Sequence, residues 1–361
     1  MKKKKNLNQK TKCNKIFVKL IIFEKLYSII IKQVIIYLFI VYIYKTFSNK
    51  IMKNKKYLDK NKYEYNNSLL IGQIESDYKN NIFVIIRDKC KTCGLFAFYI
   101  HYLGCSRMLL SQGYIPIVDL KTFPNIFNGF NTSSLSQNPW EIYFNQPFGY
   151  TLENVIKKTK NIKFFLCNHS YPYPSNNIYK NKVLIDYWHN IALKYASIKN
   201  KYIKEATITM NNLFKGSNNI LGVLARGTDY IARQPKSHPK QPNIKIILRD
   251  VKNMNEKNKY DWIFLTTEDY IIRLQFIQIF GNKLKYSLKN KNIKYNYKSK
   301  EMLCYNKNIK GNIEYMEIYL INIIILSKCI DIITSRTNGS IGAFIFTEGF
   351  RNTKVYYLGI Y

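Results

Sequence analysis

Acidic residues are scarce in this sequence, with 22 Asp and Glu against 57 Lys and Arg, a formal net charge of +35. Such an excess is typical of proteins that bind a polyanion. Ala, Gly and Pro are also few, whereas Lys, Asn, Ile and Tyr, which all have AT-rich codons, are abundant. The excess is mainly Lys, while specific contacts with bases and phosphates favour Arg. The charge therefore does not by itself indicate nucleic-acid binding, although it favours attraction to anionic lipid or an anionic nucleotide-sugar.

The cysteines do not form the pattern of a disulfide framework. There are 7 in 361 residues, scattered along the chain, whereas disulfide frameworks belong to small secreted domains with an even set. Cys90 and Cys93 have CxxC spacing, but no second pair and no His pair accompanies them to complete a zinc site. We therefore expect a reducing compartment and free thiols at both positions.

Only one long apolar run is present, at residues 16–47 after a lysine-rich tail. A membrane-spanning helix needs about 20 mostly apolar residues, and charged residues such as Lys19 and Lys32 interrupt this run. It predicts either a membrane anchor, spanning or interfacial, or a helical extension packed on the main fold. No small-residue cleavage site follows it, which argues against a signal peptide. We expect residues 1–79 to form a basic tail, this apolar helical segment and a linker, with a cytoplasmic N-terminus.

From residue 80 onward, short apolar runs alternate with helical patterns. The predicted strands are 82–86, 115–120, 220–224, 262–265 and 330–334, and the predicted helices are 96–111, 183–214, 244–255, 270–280, 313–326 and 341–346. Alternating strands and helices predict right-handed crossovers and doubly wound parallel sheets. We expect two such α/β domains, residues 80–182 and 183–361, that face each other across a cleft.

Three polar clusters follow predicted strands of the second domain: residues 226–229 (RGTD), 266–269 (TTED) and 335–340 (SRTNGS). Ligands of open parallel sheets bind beyond the carboxyl ends of the strands, so the topology is expected to bring the clusters to one rim. Arg226 offers a cationic fork for a diphosphate. The start of the helix after the third cluster offers N–H groups to an anion. The acids of the second cluster suit the N–H edge of guanine, so the set predicts a nucleoside-diphosphate site.

Each cluster also has a purely structural interpretation. Arg226 and Asp229 fit an ion pair at a strand end, Glu268 and Asp269 fit caps of the following helix, and His238 fits a surface loop. The GxxxxGK[ST] pattern is absent, which excludes a P-loop. There is no DxD near the clusters and no His/Asp cage, so we expect neither a metal nor another cofactor.

Residues 222–229, GVLARGTD, resemble the strand and RxTD motif of the GDP-fucose-dependent fucosyltransferase superfamily, which includes α-1,6-fucosyltransferases and protein O-fucosyltransferases. Other stretches are similar to further features of that superfamily: 263–269 to its second motif, 331–340 to its third, 93–96 to the glycine loop of its N-terminal domain, and 138–141 with 226–242 to bacterial members from surface-polysaccharide gene clusters. The resemblance covers roughly residues 80–361.

The resemblance implies a GT-B-like fold, a GDP-sugar donor, inversion at the anomeric carbon and no metal. It implies that Arg226 holds the β-phosphate and stabilises the leaving diphosphate, and that Asp269 or Glu268 recognises the base. The expected catalytic residues are Arg226, Asp229 and His238, and the expected substrate-binding residues are Gly94, Leu95, Arg226, Glu268, Asp269, Ser335, Thr337, Asn338, Gly339 and Ser340.

Two positions depart from the pattern. The second Arg of the R-R-T-D motif is Gly227 here, and the Glu that is a candidate base in the α-1,6 branch is Gln234 here. An amide cannot take a proton from an acceptor hydroxyl. The base is therefore Asp229 or His238. Alternatively, the bond between the sugar and the diphosphate breaks first, and a base contributes little to the rate.

The sequence thus predicts a cytoplasmic glycosyltransferase, at the inner face of the membrane, that transfers fucose from GDP-fucose to a glycan acceptor in surface-polysaccharide synthesis. Three alternatives remain: a transferase of another nucleotide sugar, a basic nucleic-acid-binding protein, and a non-catalytic, membrane-associated module that binds GDP. Scattered rather than clustered lysines would argue against nucleic acid as a partner, and turnover of a nucleotide sugar would exclude the non-catalytic module.

Overall fold

The computed structural model describes residues 78–88, 90–132, 135–167, 171–287, 297–298 and 311–361. The predicted basic tail, apolar helical segment and most of the linker lie outside these residues. Among the helices that are described, none combines the length and the apolar character needed to cross a membrane. The domain limits given above stay a prediction.

A three-stranded parallel sheet forms the first half of the described chain. Its strands are β1 (Phe83–Asp88), β2 (Ile115–Val118) and β3 (Ile162–Cys167), and its helices are α1 (Leu95–Ser111), α2 (Pro139–Tyr143) and α3 (Leu152–Lys158). The strand order is β2-β1-β3, with both pairings parallel. The buried run of β1 and the long helix that follows agree with the sequence prediction to within two residues at each end.

Two helices connect the sheets where one long helix was predicted. They are α4 (Lys182–Tyr195) and α5 (Asn200–Phe214), so the single helix at 183–214 was wrong. The break arises because residues 197–199 pair with the chain after α2: Asn145 N–H donates to Ser197 O (2.8 Å) and Lys199 N–H donates to Tyr143 O (3.0 Å). These hydrogen bonds replace the ones that a continuous helix would make.

A five-stranded parallel sheet forms the second half. Its strands are β4 (Ile220–Leu224), β5 (Trp262–Thr266), β6 (Leu284–Lys285), β7 (Asp331–Ser335) and β8 (Asn352–Tyr356), and its helices are α6 (Thr228–Arg233), α7 (Ile244–Asn258), α8 (Tyr270–Phe280), α9 (Ile313–Ser327) and α10 (Asn338–Phe346). The strand order is β6-β5-β4-β7-β8. The order reverses between β4 and β7, which is the switch point where doubly wound sheets bind ligands.

Both faces of the second sheet are covered. Side chains of β4 alternate, with Ile220 and Leu224 in one apolar cluster and Leu221 and Val223 in another. Such burial on two sides explains why the strand is a continuous apolar run rather than an alternating one. The first of these clusters extends without interruption into α1 and the first sheet.

The contact between the two halves is aromatic and close. The ring of Phe96 in α1 lies 5.6 Å from that of Tyr319 and 6.0 Å from that of Phe346. Gly342 of α10 faces the same ring, and a Cβ there would lie 2.4 Å from it. The expected α/β, GT-B-like arrangement of two parallel sheets with a cleft between them is confirmed.

Candidate functional site

A cavity of about 450 Å³ lies at the carboxyl ends of β4 and β5, between the two sheets. The starts of α1 and α10 and one face of α9 also line it. The site therefore occupies the switch point of the second sheet and is closed by the first half of the chain. Of the predicted site residues, Gly94, Leu95, Arg226, Asp229, His238, Glu268, Thr337, Asn338 and Gly339 line it.

Arg226 follows β4 directly and presents its guanidinium to the cavity. Its Nη2 lies 2.9 Å from Asp229 Oδ1 and its Nη1 lies 3.3 Å from Glu268 Oε1. Its Nε is buried and has no hydrogen-bond partner among the described residues. Burial of the guanidinium lowers its pKa, but the charges of Glu268 and Asp229 outweigh this effect, so the pKa of Arg226 lies above its ordinary value. The side chain is a fixed cation whose Nε–H has no partner within the described residues.

The carboxylates of the second cluster hold the loop that carries Arg226. Glu268 Oε1 accepts hydrogen bonds from Gly227 N (3.0 Å) and Thr228 Oγ1 (3.0 Å). Asp269 Oδ2 accepts from Thr228 N at 3.1 Å, and its Oδ1 caps α8 by accepting from Ile271 N at 2.8 Å. Asp269 is buried and does not line the cavity. Its side chain therefore has structural partners, and the predicted contact with a base stays a prediction.

The loop after Arg226 requires glycine at position 227, because no room is left for a side chain there. A Cβ on Gly227 would lie 2.2 Å from Asp269 Oδ2 and 2.8 Å from its Cβ. Thr228, which follows, has φ +51°, a left-handed conformation that costs energy for a β-branched residue. A larger side chain at position 227, such as the Arg of the R-R-T-D pattern, would not fit this loop without movement of Asp269.

The start of α10 faces the cavity with Thr337, Asn338 and Gly339. Thr337 caps the helix, because its side chain accepts a hydrogen bond from Ser340 N at 3.2 Å. Ser340 is buried and its hydroxyl donates to Ser335 O at 2.6 Å, while Ser335 Oγ donates to Gln241 Oε1 at 2.5 Å. The two predicted serines are therefore internal partners of the loop and do not line the cavity.

The two candidate bases are placed differently. Asp229 is buried and is engaged by Arg226 Nη2 at 2.9 Å. His238 is exposed at the cavity rim, where its Nδ1 lies 3.0 Å from Lys236 O and its ring meets that of Tyr230 edge-on at 5.5 Å. Which of the two takes a proton stays a prediction.

The rim on the side of the first sheet is formed by the turn before α1. The structure joins Cys90 and Cys93 in a disulfide, which corrects the expectation of free thiols there. The turn brings their Cα atoms to 5.6 Å, within the range that a disulfide spans. Asp88 Oδ1 fixes this turn by accepting from Cys90 N at 2.8 Å. Gly94 comes next, with no atom of another residue within 4 Å of a Cβ placed on it.

Among the lining residues that were not predicted as site residues, four polar ones face the Arg226 side of the cavity or lie on α9. Tyr315, Tyr319 and Asn322 lie on one face of α9, and Tyr230 lies in α6 with its ring 4.6 Å from the Arg226 guanidinium carbon. The signal was present, because Asn322 stands alone in an Ile-rich run and the spacing of the three α9 residues is that of one helix face. Burial raises the pKa of the Tyr319 phenol, so it stays neutral.

Three buried polar atoms near the cavity have no partner among the described residues: Arg226 Nε, Thr266 Oγ1 and Asn322 Oδ1. Buried polar groups are nearly always paired in native proteins. All three residues line the cavity. The arrangement therefore fits a polar, anionic ligand that supplies the missing partners.

Side chains suited to a metal do not gather here. Within the part of the chain that the structure describes, no three His, Cys, Asp or Glu side chains come close enough to hold a metal ion. The cations at the cavity are instead Arg226 and Arg233.

Comparisons with known proteins return solved structures of low sequence identity. No family model matches the chain, and no curated protein matches it. Among solved structures, NodZ alpha-1,6-fucosyltransferase co-crystallised with GDP is 12% identical, with 74% of this chain and 93% of that chain covered and a TM-score of 0.40. Fucosyltransferase NodZ from Bradyrhizobium is 11% identical over the same shares, also with a TM-score of 0.40. POFUT1 in complex with GDP is 8% identical, with 76% and 98% covered and a TM-score of 0.45.

Proposed function

We propose that the chain is a glycosyltransferase that holds a nucleoside-diphosphate sugar in this cavity and transfers the sugar to an acceptor. The observation that carries the proposal is Arg226, whose buried Nε lacks a partner at the switch point of a doubly wound sheet. A diphosphate supplies the acceptor atoms that a guanidinium fork needs.

The start of α10 supports the same ligand. Asn338 and Gly339 open a helix of 9 residues whose N-terminus lines the cavity. N–H groups and the helix dipole at such an end favour a phosphate. Tyr319 stays protonated because burial raises the pKa of its phenol, and a neutral phenol is a hydrogen-bond donor.

In transfer, negative charge develops on the leaving diphosphate as the bond to the anomeric carbon breaks. A cation and N–H groups already fixed around that charge stabilise it without reorganisation. Glu268 and Asp229 hold the guanidinium in place, so the loop is prepared for this role before the ligand arrives. For the acceptor hydroxyl, Asp229 or His238 is the proposed base.

The finer assignment is also a proposal. The RxTD resemblance of residues 226–229 favours GDP-fucose as the donor and inversion as the stereochemical course, and the resemblance of residues 138–141 and 226–242 to bacterial proteins favours a surface polysaccharide as the product. We propose a cytoplasmic enzyme at the inner membrane face, associated through residues 16–47.

A panel of nucleotides tests the function. The full chain is heated with GDP, GDP-fucose, UDP, UDP-glucose and ADP, and GDP release from GDP-fucose is then measured with a mixture of glycan acceptors. GDP and GDP-fucose are expected to bind most tightly and therefore to raise the Tm most. A ligand at 100 times its Kd adds about 2.7 kcal/mol to the free energy of unfolding. If UDP-glucose alone raises the Tm, the donor is a UDP-sugar and the assignment of GDP-fucose is wrong. Binding of GDP-fucose without turnover by any acceptor would favour the non-catalytic module.

A further inference from the structure

Four buried residues of the cavity lining, on the ends of β4 and β5 and on α9, are Leu224, Thr266, Met316 and Asn322, which are at most 6% exposed; we call these four residues the floor. Two of them are polar. Thr266 is the last residue of β5, and Asn322 lies in α9. Thr266 Oγ1 and Asn322 Oδ1 make no hydrogen bond within the described part of the chain. Both therefore need partners from a ligand that reaches the floor.

Apolar side chains line the cavity together with the two polar residues. Leu224 is paired with Thr266 in the sheet register, so the two side chains lie on the same face. Met316 and the ring of Phe96 also line the cavity. A sugar would bring several hydroxyl groups to a floor with only two unpaired polar atoms, and the remaining hydroxyls would lose hydrogen bonds to water. A flat aromatic ring with polar atoms at one edge fits these walls better.

The acids that the sequence suggested for a base are already engaged. Glu268 Oε1 accepts from Gly227 N and Thr228 Oγ1, and Asp269 accepts from backbone N–H groups on both sides. Asp269 is also outside the lining of the cavity. Other buried polar side chains of the cavity are therefore also candidates for recognition of a base by hydrogen bonds.

We propose that Thr266 and Asn322 recognise the nucleobase of the ligand. Asn322 Oδ1 accepts a hydrogen bond from an N–H group of the base edge. Thr266 Oγ1 accepts a hydrogen bond from, or donates one to, the adjacent polar group on the same edge of the base. This inference rests on the proposed function, because the base belongs to the nucleoside diphosphate that Arg226 holds. Guanine has two adjacent donors on one edge, the ring N–H and the exocyclic amine, and so satisfies both residues.

Two nearly isosteric variants separate base recognition from a structural role. Thr266→Val and Asn322→Leu remove the unpaired polar atoms and keep the volume, and Thr353→Val on the exposed strand β8 is the matched control. Calorimetric titration of the full-length variants with GDP and with inorganic pyrophosphate measures affinity. Each floor variant is expected to weaken GDP binding by about tenfold or more and to leave pyrophosphate binding within about twofold.

The melting temperature gives a second, independent readout. Replacing an unpaired buried polar atom by an apolar group is neutral or stabilising, so the Tm of the unliganded floor variants is expected to equal or exceed that of the parent. A lower Tm, or failure to fold, would show that the atom has an internal partner and would overturn the proposal for that residue.

The titrations distinguish this inference from the function on which it rests. If the parent binds GDP and both floor variants bind it equally well, base recognition by Thr266 and Asn322 is wrong and the proposed function stands. An equal loss of GDP and pyrophosphate binding would assign the residues to the phosphates and would also overturn it. If the parent binds neither GDP nor pyrophosphate, the proposed function fails, and the inference fails with it.

Discussion

Arg226 is the side chain on which the proposed chemistry depends most. Arg226→Lys keeps the positive charge and removes the planar fork that spans Asp229 and Glu268. Loss of one fixed donor to a developing anion typically costs roughly 3–4 kcal/mol of barrier, so the rate of sugar transfer should fall about a hundred- to a thousandfold. Steady-state kinetics with GDP-fucose measure this.

The control for that variant is Arg249→Lys, at an exposed position of α7 that pairs with Asp250. We expect it to transfer sugar at the parent rate. Near-normal transfer by a folded Arg226→Lys protein would show that the guanidinium is only half of a structural ion pair.

At the residue scale, the sequence predicted which side chains gather but not all of their roles. Arg226, Glu268 and Asn338 meet at one cavity as expected from their places after β4, β5 and β7. Asp269 does not, because the loop turns through Thr228 at φ +51° and brings backbone N–H groups onto its carboxylate. That turn depends on tertiary contacts that no local pattern encodes.

At the scale of elements, the predicted limits of strands and helices agree best with the structure where the elements are buried. The central strand β4 and the helix α8 have the predicted limits, because fully buried strands and clear helix caps leave strong signals. The strands β3 and β8 were not predicted, since most of their side chains are at least partly exposed at sheet edges and include polar residues. Edge strands lack the apolar run that identifies a central strand.

The contact of α1 with α10 makes a prediction about Gly342. Gly342→Ala would place a Cβ 2.4 Å from the Phe96 ring, and overpacking of this kind typically costs about 1–3 kcal/mol. Thermal unfolding should show a lower Tm. Gly94→Ala is the stability control, because a Cβ there meets nothing within 4 Å. An unchanged Tm for Gly342→Ala would mean that the two helices separate easily.

The contacts of Asp331, where β7 pairs with β8, predict that the stability of the protein depends on pH. Asp331 is fully buried and accepts hydrogen bonds from Arg351 Nη2 (2.8 Å) and Asn352 N (2.8 Å), and also from the Tyr260 hydroxyl. Burial raises the pKa of Asp331, but these hydrogen bonds outweigh it and hold the pKa below its ordinary value of 3.8. The stabilisation is therefore complete above that value and is lost as the pH falls through the folded-state pKa.

Asp331→Asn tests this dependence. We expect the variant to lose about 1–3 kcal/mol at neutral pH and to show a smaller further drop in Tm than the parent when the pH falls below 3.8. Asp186→Asn, exposed on α4, serves as the control and should follow the parent curve. Parallel Tm curves for Asp331→Asn and the parent would show that Asp331 does not cause the acid sensitivity.

At the scale of the whole molecule, the described lining of the cavity runs from Cys90 to Gly339. Deletion of residues 1–60 should therefore leave the Kd for GDP within about twofold of the parent value, as measured by titration. If residues 16–47 are an anchor, the deletion should also reduce sedimentation with vesicles. Unfolding of the truncated protein would show that the deleted segment packs on the core and is not an anchor.

The apolar cluster that runs from the first sheet through α1 and α9 into the second sheet couples the two halves of the described chain, so we expect them to unfold as one cooperative unit. Such a unit melts in a single transition, with equal calorimetric and van't Hoff enthalpies. A destabilising substitution in the cluster then lowers the folded fraction of the protein as a whole. Inherited variants far from the cavity would reduce the amount of folded protein in a cell while leaving the cavity of each folded molecule intact.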